Sequence, residues 1–99
     1  MPYWTFITNH GLVLVYIAKK PRSTVREIAS AINITERTVH KVTADLEQKG
    51  YIERQRVGRK NVYHIYPDVS LRHDTTHDVA VGDLLNVLGW RRHRKTRIR

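Results

Sequence analysis

No cysteine occurs in these 99 residues, which excludes disulfides, thiolate metal sites and cysteine nucleophiles. Long apolar runs are missing too. The longest, Leu12–Ala18, falls far short of the roughly 20 residues that cross a bilayer. Met1–His10 lacks the basic start of a secretory signal, so a cytoplasmic chain with no membrane partner is expected. The glycines at 11, 50, 58, 82 and 89 are isolated, and no glycine-rich phosphate loop is present. No nucleophile has a visible base and orienting partner, and no carboxylate pair stands out. The expectation is a protein that is not an enzyme and uses no cofactor.

Positive charge is what the chain has in excess. Eighteen Lys and Arg against nine Asp and Glu give a formal charge of +9 and a pI of about 10.4. Residues 91–99 hold six of the basic residues and no acid. Segment 19–60 holds 11 basic residues against 5 acidic, whereas 61–90 holds one against four. A basic middle and a basic end imply a polyanionic partner. The apolar share of 40% suits one domain at 1–90 with a modest core, and so small a core favours oligomerisation. Residues 91–99 have no periodicity and are expected to form a disordered tail, adding non-specific attraction to nucleic acid by counterion release.

The first segment, Pro2–Ile7, is an aromatic arm containing Tyr3, Trp4 and Phe6. Asn9 is expected to cap a helix running to about Lys20 and stopped by Pro21. Leu12–Ile17 also reads as a buried strand; the added length of Ala18-Lys19-Lys20 decides for helix. Thr24-Val25-Arg26-Glu27 fits a capping box, opening a helix with Val25, Ile28, Ala29 and Ile32 on one face. Asn33 suits the left-handed turn that ends it. Thr35 then caps a helix over 35–49 that buries Val39, Val42 and Leu46 and stops at Gly50. Two short helices joined by so tight a turn make a helix-turn-helix.

Tyr51–Arg56 and Asn61–Tyr66 alternate as strands do, around Val57-Gly58-Arg59-Lys60. Ile52, Tyr63 and Ile65 are expected to face inward, with Pro67 closing the hairpin. Ser70–Asp78 is polar and reads as irregular, with Asp78 capping a last amphipathic helix at about 79–89. The expected class is mainly α with a small β-hairpin wing: a three-helix core, the wing, and a C-terminal amphipathic helix.

Ile28-Ala29, Ile32-Asn33-Ile34-Thr35, Arg37-Thr38-Val39, Leu46-Glu47, Gly50-Tyr51-Ile52 and Arg54 occur in that order. Over about residues 10–66 this string resembles the winged helix-turn-helix of bacterial and archaeal transcriptional regulators of the MarR type. The resemblance implies a recognition helix in the DNA major groove and a hairpin wing over the backbone. The chain departs from full-length members in lacking the long paired terminal helices that usually build the dimer and the ligand pocket, so an effector stays open.

The residues carry the same reading. With Val39, Val42 and Leu46 inward, the outward positions are Glu36, Arg37, His40, Lys41 and Ala44, the candidate base-reading set. Arg37 can pair bidentately with guanine, Lys41 and His40 can donate, and Ala44 permits close approach. Thr35 and Thr38 at the helix N-terminus suit a phosphate, and Arg22 and Ser23 add weaker backbone contacts. Arg54, Arg56, Arg59 and Lys60 crowd the wing at 53–61 and suit backbone or minor-groove contact, although edge hairpins also carry such residues against aggregation.

Val81, Leu84, Leu85 and Leu88, with Trp4 of the arm, are read as a dimerisation stripe in preference to a helix folded on its own core. A homodimer would set two motifs across a two-fold axis. His73 and His77 are the candidate metal pair, but a capped polar loop explains them as well and no metal is expected. His10, His64 and His93 are scattered and read as surface or packing residues. The expected function is sequence-specific binding of double-stranded DNA by a dimeric transcriptional regulator. The alternatives are a protein-interaction module in a larger nucleic-acid assembly, or a metal-responsive sensor using His73 and His77.

Overall fold

The structure is a computed structural model and describes residues 4–91. The basic tail expected at 91–99 therefore lies, from residue 92 onward, outside the described residues. Three helices come first: α1 (Asn9–Lys19), α2 (Val25–Ile32) and α3 (Glu36–Gln48). An antiparallel hairpin of β1 (Ile52–Val57) and β2 (Lys60–Ile65) follows, and α4 (Val81–Val87) closes the order. The class and the element order match the expectation.

Local chemistry sets the boundaries of α1, α2 and α3. Thr8 caps α1 and accepts a hydrogen bond from the Gly11 amide at 3.3 Å. Asn9 is thus the first helical residue and not the cap expected above. Ile7 lies across that first turn, so closely that a Cβ on Gly11 would collide with its Cγ2, and a larger residue there would have to displace the Ile7 side chain. Thr24 and Glu27 form the full capping box, at 3.0 and 2.8 Å. Asn33 ends α2 in the left-handed region at φ 65, and Thr35 caps α3 by accepting from the Thr38 amide at 3.0 Å.

The hairpin turn is tighter than expected. Val57 pairs with Lys60, which leaves Gly58-Arg59 as a two-residue loop, and Gly58 supplies the positive φ of 61 that such a loop requires. The loop after β2 is also more ordered at its ends than its polar composition suggests. Ser70 bridges Ala80, the Leu71 amide donates to the Val79 carbonyl at 2.9 Å, and the Val81 amide donates to the Val69 carbonyl at 2.7 Å. These bonds occupy the chain beside Asp78, so α4 starts at Val81 behind Ala80, with no side-chain cap. The capping role expected of Asp78 is not found.

The core is shared by all the helices and the hairpin. Val13 and Ile17 of α1, Ile28 of α2, Val39 and Val42 of α3, Ile52 and Tyr63 of the hairpin, and Val81 and Leu85 of α4 are buried together. Each such aliphatic side chain contributes on the order of 1.5–3 kcal/mol. The Tyr63 amide donates to the Pro21 carbonyl at 2.9 Å and the Tyr51 hydroxyl to the Ser70 carbonyl at 2.6 Å, which ties the hairpin to the turn before α2 and to the last segment.

Candidate nucleic-acid interface

The burial of α3 divides its residues cleanly. Val39, Val42, Thr43 and Leu46 are buried, and Thr43 satisfies its hydroxyl on the His40 carbonyl at 3.1 Å. Glu36, Arg37, His40, Lys41 and Ala44 are exposed, as a 3.6-residue period requires. The side chains of Arg37 and His40 make no hydrogen bond or ion pair among the described residues, so their donors face solvent. Glu36 differs: its carboxylate lies 3.8 Å from Arg26 Nε on α2. Thr35 and Thr38 spend their hydroxyls on the cap and on each other, 2.9 Å apart.

Lys41 is less open than its position suggests. Its Nζ lies 3.7 Å from Asp45 Oδ2, one turn along the helix, and the same oxygen is 2.8 Å from Nε2 of His10 on α1. The hydrogen bond from His10 holds the Asp45 carboxyl below its ordinary value of 3.8, against the opposing effect of desolvation and with help from the Lys41 charge. Sequence reasoning missed this cluster. His10 and Asp45 stand 35 residues apart, and no local pattern relates them.

The cations expected around the wing fall into different environments. Arg54 is half-buried and its Nη2 lies 3.3 Å from Glu47 Oε1 of α3, which makes it a strut between wing and helix as well as a charge. Arg56 turns its Nε to the Gly58 carbonyl at 3.1 Å. Arg59 and Lys60 stand exposed at the tip. Strand alternation puts Arg54 and Arg56 on the face of Ile52, and Lys60 beside Val57 on the other. Across the hairpin's base, the Tyr66 hydroxyl donates to Glu53, and this bond raises the phenol above its ordinary value. Near α2, Arg22 is exposed, whereas Ser23 is buried with its hydroxyl donated to the Lys20 carbonyl at 2.8 Å. That bond removes Ser23 from the candidate phosphate contacts.

The expected dimerisation stripe is split. Val81 and Leu85 are 2% and 1% exposed, packed into the chain's own core, so these two cannot line an interface. The reason is the shortness of the body, which needs both side chains to close its core. Leu84 and Leu88 are half-buried, and Val87 and Trp4 are exposed. Trp4 meets Phe6 edge-on, with ring centroids 5.1 Å apart. Beside them lies an apolar groove lined by Ile7, Leu12, Val15, Tyr16, Ile32 and Leu88, with Lys19 at its edge.

His73 uses its Nδ1 within its own turn, accepting from the Thr75 amide at 3.1 Å. Among the described residues no group of three metal-ligating side chains gathers around it or around His77. No helix among them is long and apolar enough to cross a membrane.

A helix-turn-helix whose second helix exposes an unpaired arginine, followed by a basic two-stranded wing, defines a winged helix-turn-helix protein. Residues 6–60, more than half of the chain, match the MarR family, and the chain belongs to that family. The structure is similar to MepR, a transcription regulator of the Staphylococcus aureus multidrug efflux pump MepA, with a TM-score of 0.57 and 21% identity. That likeness covers 84% of this chain and 58% of MepR, and it shows a shared fold. A riboflavin kinase of Thermococcus kodakarensis is 41% identical over 51 residues, which is 52% of this chain but 24% of that protein. The chain thus spans about a quarter of the kinase's length and little more than half of MepR's.

Proposed function

We propose that this chain is a transcriptional regulator that binds double-stranded DNA sequence-specifically as a homodimer, with α3 in the major groove and the wing on the flanking backbone. The observation that carries this reading is the exposed face of α3, where the side chains of Arg37 and His40 make no hydrogen bond or ion pair among the described residues and Lys41 and Ala44 stand exposed beside them. Arg37 reads a guanine through its two-pronged guanidinium, and Lys41 and His40 donate to base edges or phosphates. Arg56, Arg59 and Lys60 hold the backbone on either side. Membership of the MarR family and the fold shared with MepR support regulation of transcription as the use of this surface.

The second copy docks on the apolar side away from α3. The groove along α1, with Val87 and the aromatic arm beside it, supports that choice, because an apolar face of this kind on a small domain favours a partner. Leu88, the residue that closes α4, lines this groove.

Selection of duplexes from a random pool tests the proposal. The expected product is a palindrome whose half-sites lie about one helical turn apart. A pool that yields no shared motif would remove sequence-specific regulation from the account.

A further inference from the structure

One anion of α3, Asp45, lies outside the proposed DNA contacts yet touches one of the residues that make them. Asp45 lies one turn beyond Lys41, and its Oδ2 takes Lys41 Nζ at 3.7 Å and His10 Nε2 at 2.8 Å. A pair spaced i, i+4 on a helix surface is loose by itself. Here the carboxylate is pinned to a second helix, so it becomes a fixed point toward which the lysine is drawn. We propose that Asp45 is a positioning residue for Lys41, and that the charge on His10 sets how firmly Lys41 is held.

The inference rests on α3 being the DNA-reading helix. With His10 neutral, Asp45 is a full anion whose cationic partner is Lys41, and the ammonium is kept along the helix. With His10 protonated, the carboxylate is shared between two cations and the cluster gains one positive charge. Lys41 is then released toward the DNA. Affinity rises, and a freed ammonium, as a mobile point charge, discriminates less between bases. Among the described residues, the other charged or titratable groups around His10 are Lys49 just past α3, Arg72 of the loop after β2, and the Tyr51 phenol, which line the same cleft with Thr8 and Gln48. His10 is the histidine among the residues lining this cleft.

The test measures anisotropy of the full chain on its selected duplex and its single-base variants from about pH 5 to 8 at constant ionic strength, for wild type, His10→Gln, Asp45→Asn, Lys41→Ala and Arg37→Ala. Glutamine keeps a donor for Asp45 and cannot take up a proton. Wild type binds more tightly as the pH falls, and His10→Gln removes about two- to fivefold of that gain, the range of an exposed ion pair. Asp45→Asn binds more tightly than wild type at the alkaline end and tolerates substitution at the base pair whose discrimination Lys41→Ala abolishes. Superimposable pH profiles for wild type and His10→Gln, or unchanged base discrimination in Asp45→Asn, overturn the positioning role. Should Asp45→Asn not fold, His10→Gln, which leaves α3 untouched, decides alone. If Arg37→Ala loses the duplex preference while His10→Gln and Asp45→Asn follow wild type, DNA reading stands and the positioning role does not. If Arg37→Ala also follows wild type, the assignment of α3 fails.

Discussion

Arg54 of β1 reaches back to Glu47 of α3, Nη2 to Oε1 at 3.3 Å, and so joins the root of the wing to the helix it flanks. Both side chains are about a third exposed. The contact fixes where the exposed cations of the wing tip stand relative to Arg37, and it divides the basic residues into those that build the surface and those that are free to bind.

That division is measurable. Arg54→Met is expected to lower the unfolding free energy by about 0.2–1 kcal/mol, as for other partly exposed pairs, with a smaller loss of DNA affinity than Arg59→Ala. Urea denaturation and anisotropy on the two variants give the comparison. An unchanged midpoint with a large affinity loss would make Arg54 a phosphate ligand and not a strut.

Arg37 and Lys60 should fail in different ways. Arg37→Ala is expected to cost on the order of 1–3 kcal/mol on the selected duplex and to relax one base position. Lys60→Ala should weaken all duplexes alike and lower the salt slope by about one. Competition binding against single-base variants separates the two patterns.

The pH dependence of stability follows from three groups. The folded pKa of Asp45 is held below its ordinary 3.8, so its contribution is present above that value and is lost as the pH falls through the lowered one. Wild type and Asp45→Asn should differ near neutrality and converge in acid. Tyr51, raised by burial despite Arg72, and Tyr66, raised by its bond to Glu53, lie above 10.0. Their contributions are complete below that value and are lost as the pH rises through the raised ones. Urea midpoints against pH should therefore show a shallower alkaline decline in Tyr66→Phe.

Apolar substitutions should separate core from interface. Leu85→Ala is expected to cost about 2–5 kcal/mol of stability, because the side chain is 1% exposed. Val87→Glu should halve the sedimenting mass and lower the melting temperature only by what dimer formation adds, which depends on protein concentration. A dimer that survives Val87→Glu would place the interface elsewhere.

Much of this architecture was legible in local sequence. Thr24 and Glu27 announce a helix start because capping needs those side chains three residues apart, and Asn33 and Gly50 mark the stops because few residues adopt a positive φ. The exposed face of α3 followed from the spacing of Val39, Val42 and Leu46. What sequence did not disclose is contact between distant elements. Nothing near His10 points to Asp45, and nothing near Arg54 distinguishes a strut to Glu47 from a phosphate contact. The stripe of Val81, Leu84, Leu85 and Leu88 gave the helix correctly, but periodicity reports only that a face is apolar. Whether the chain's own core or a second copy covers it depends on packing. Asp78 and Asn9 were plausible caps by type, but the Thr8 hydroxyl one residue earlier caps α1 in place of Asn9, and the Ser70–Ala80 bridge two residues later delays α4 past Asp78.

The central claim is that α3 reads base sequence. Its most direct measurement compares the affinity of the full chain for the selected duplex and for a random duplex of equal length across a salt series. The account predicts a preference of roughly 10³-fold or more that persists as salt weakens both complexes. Equal affinities that fall together with salt would mean that the chain holds the phosphate backbone alone, and would contradict it.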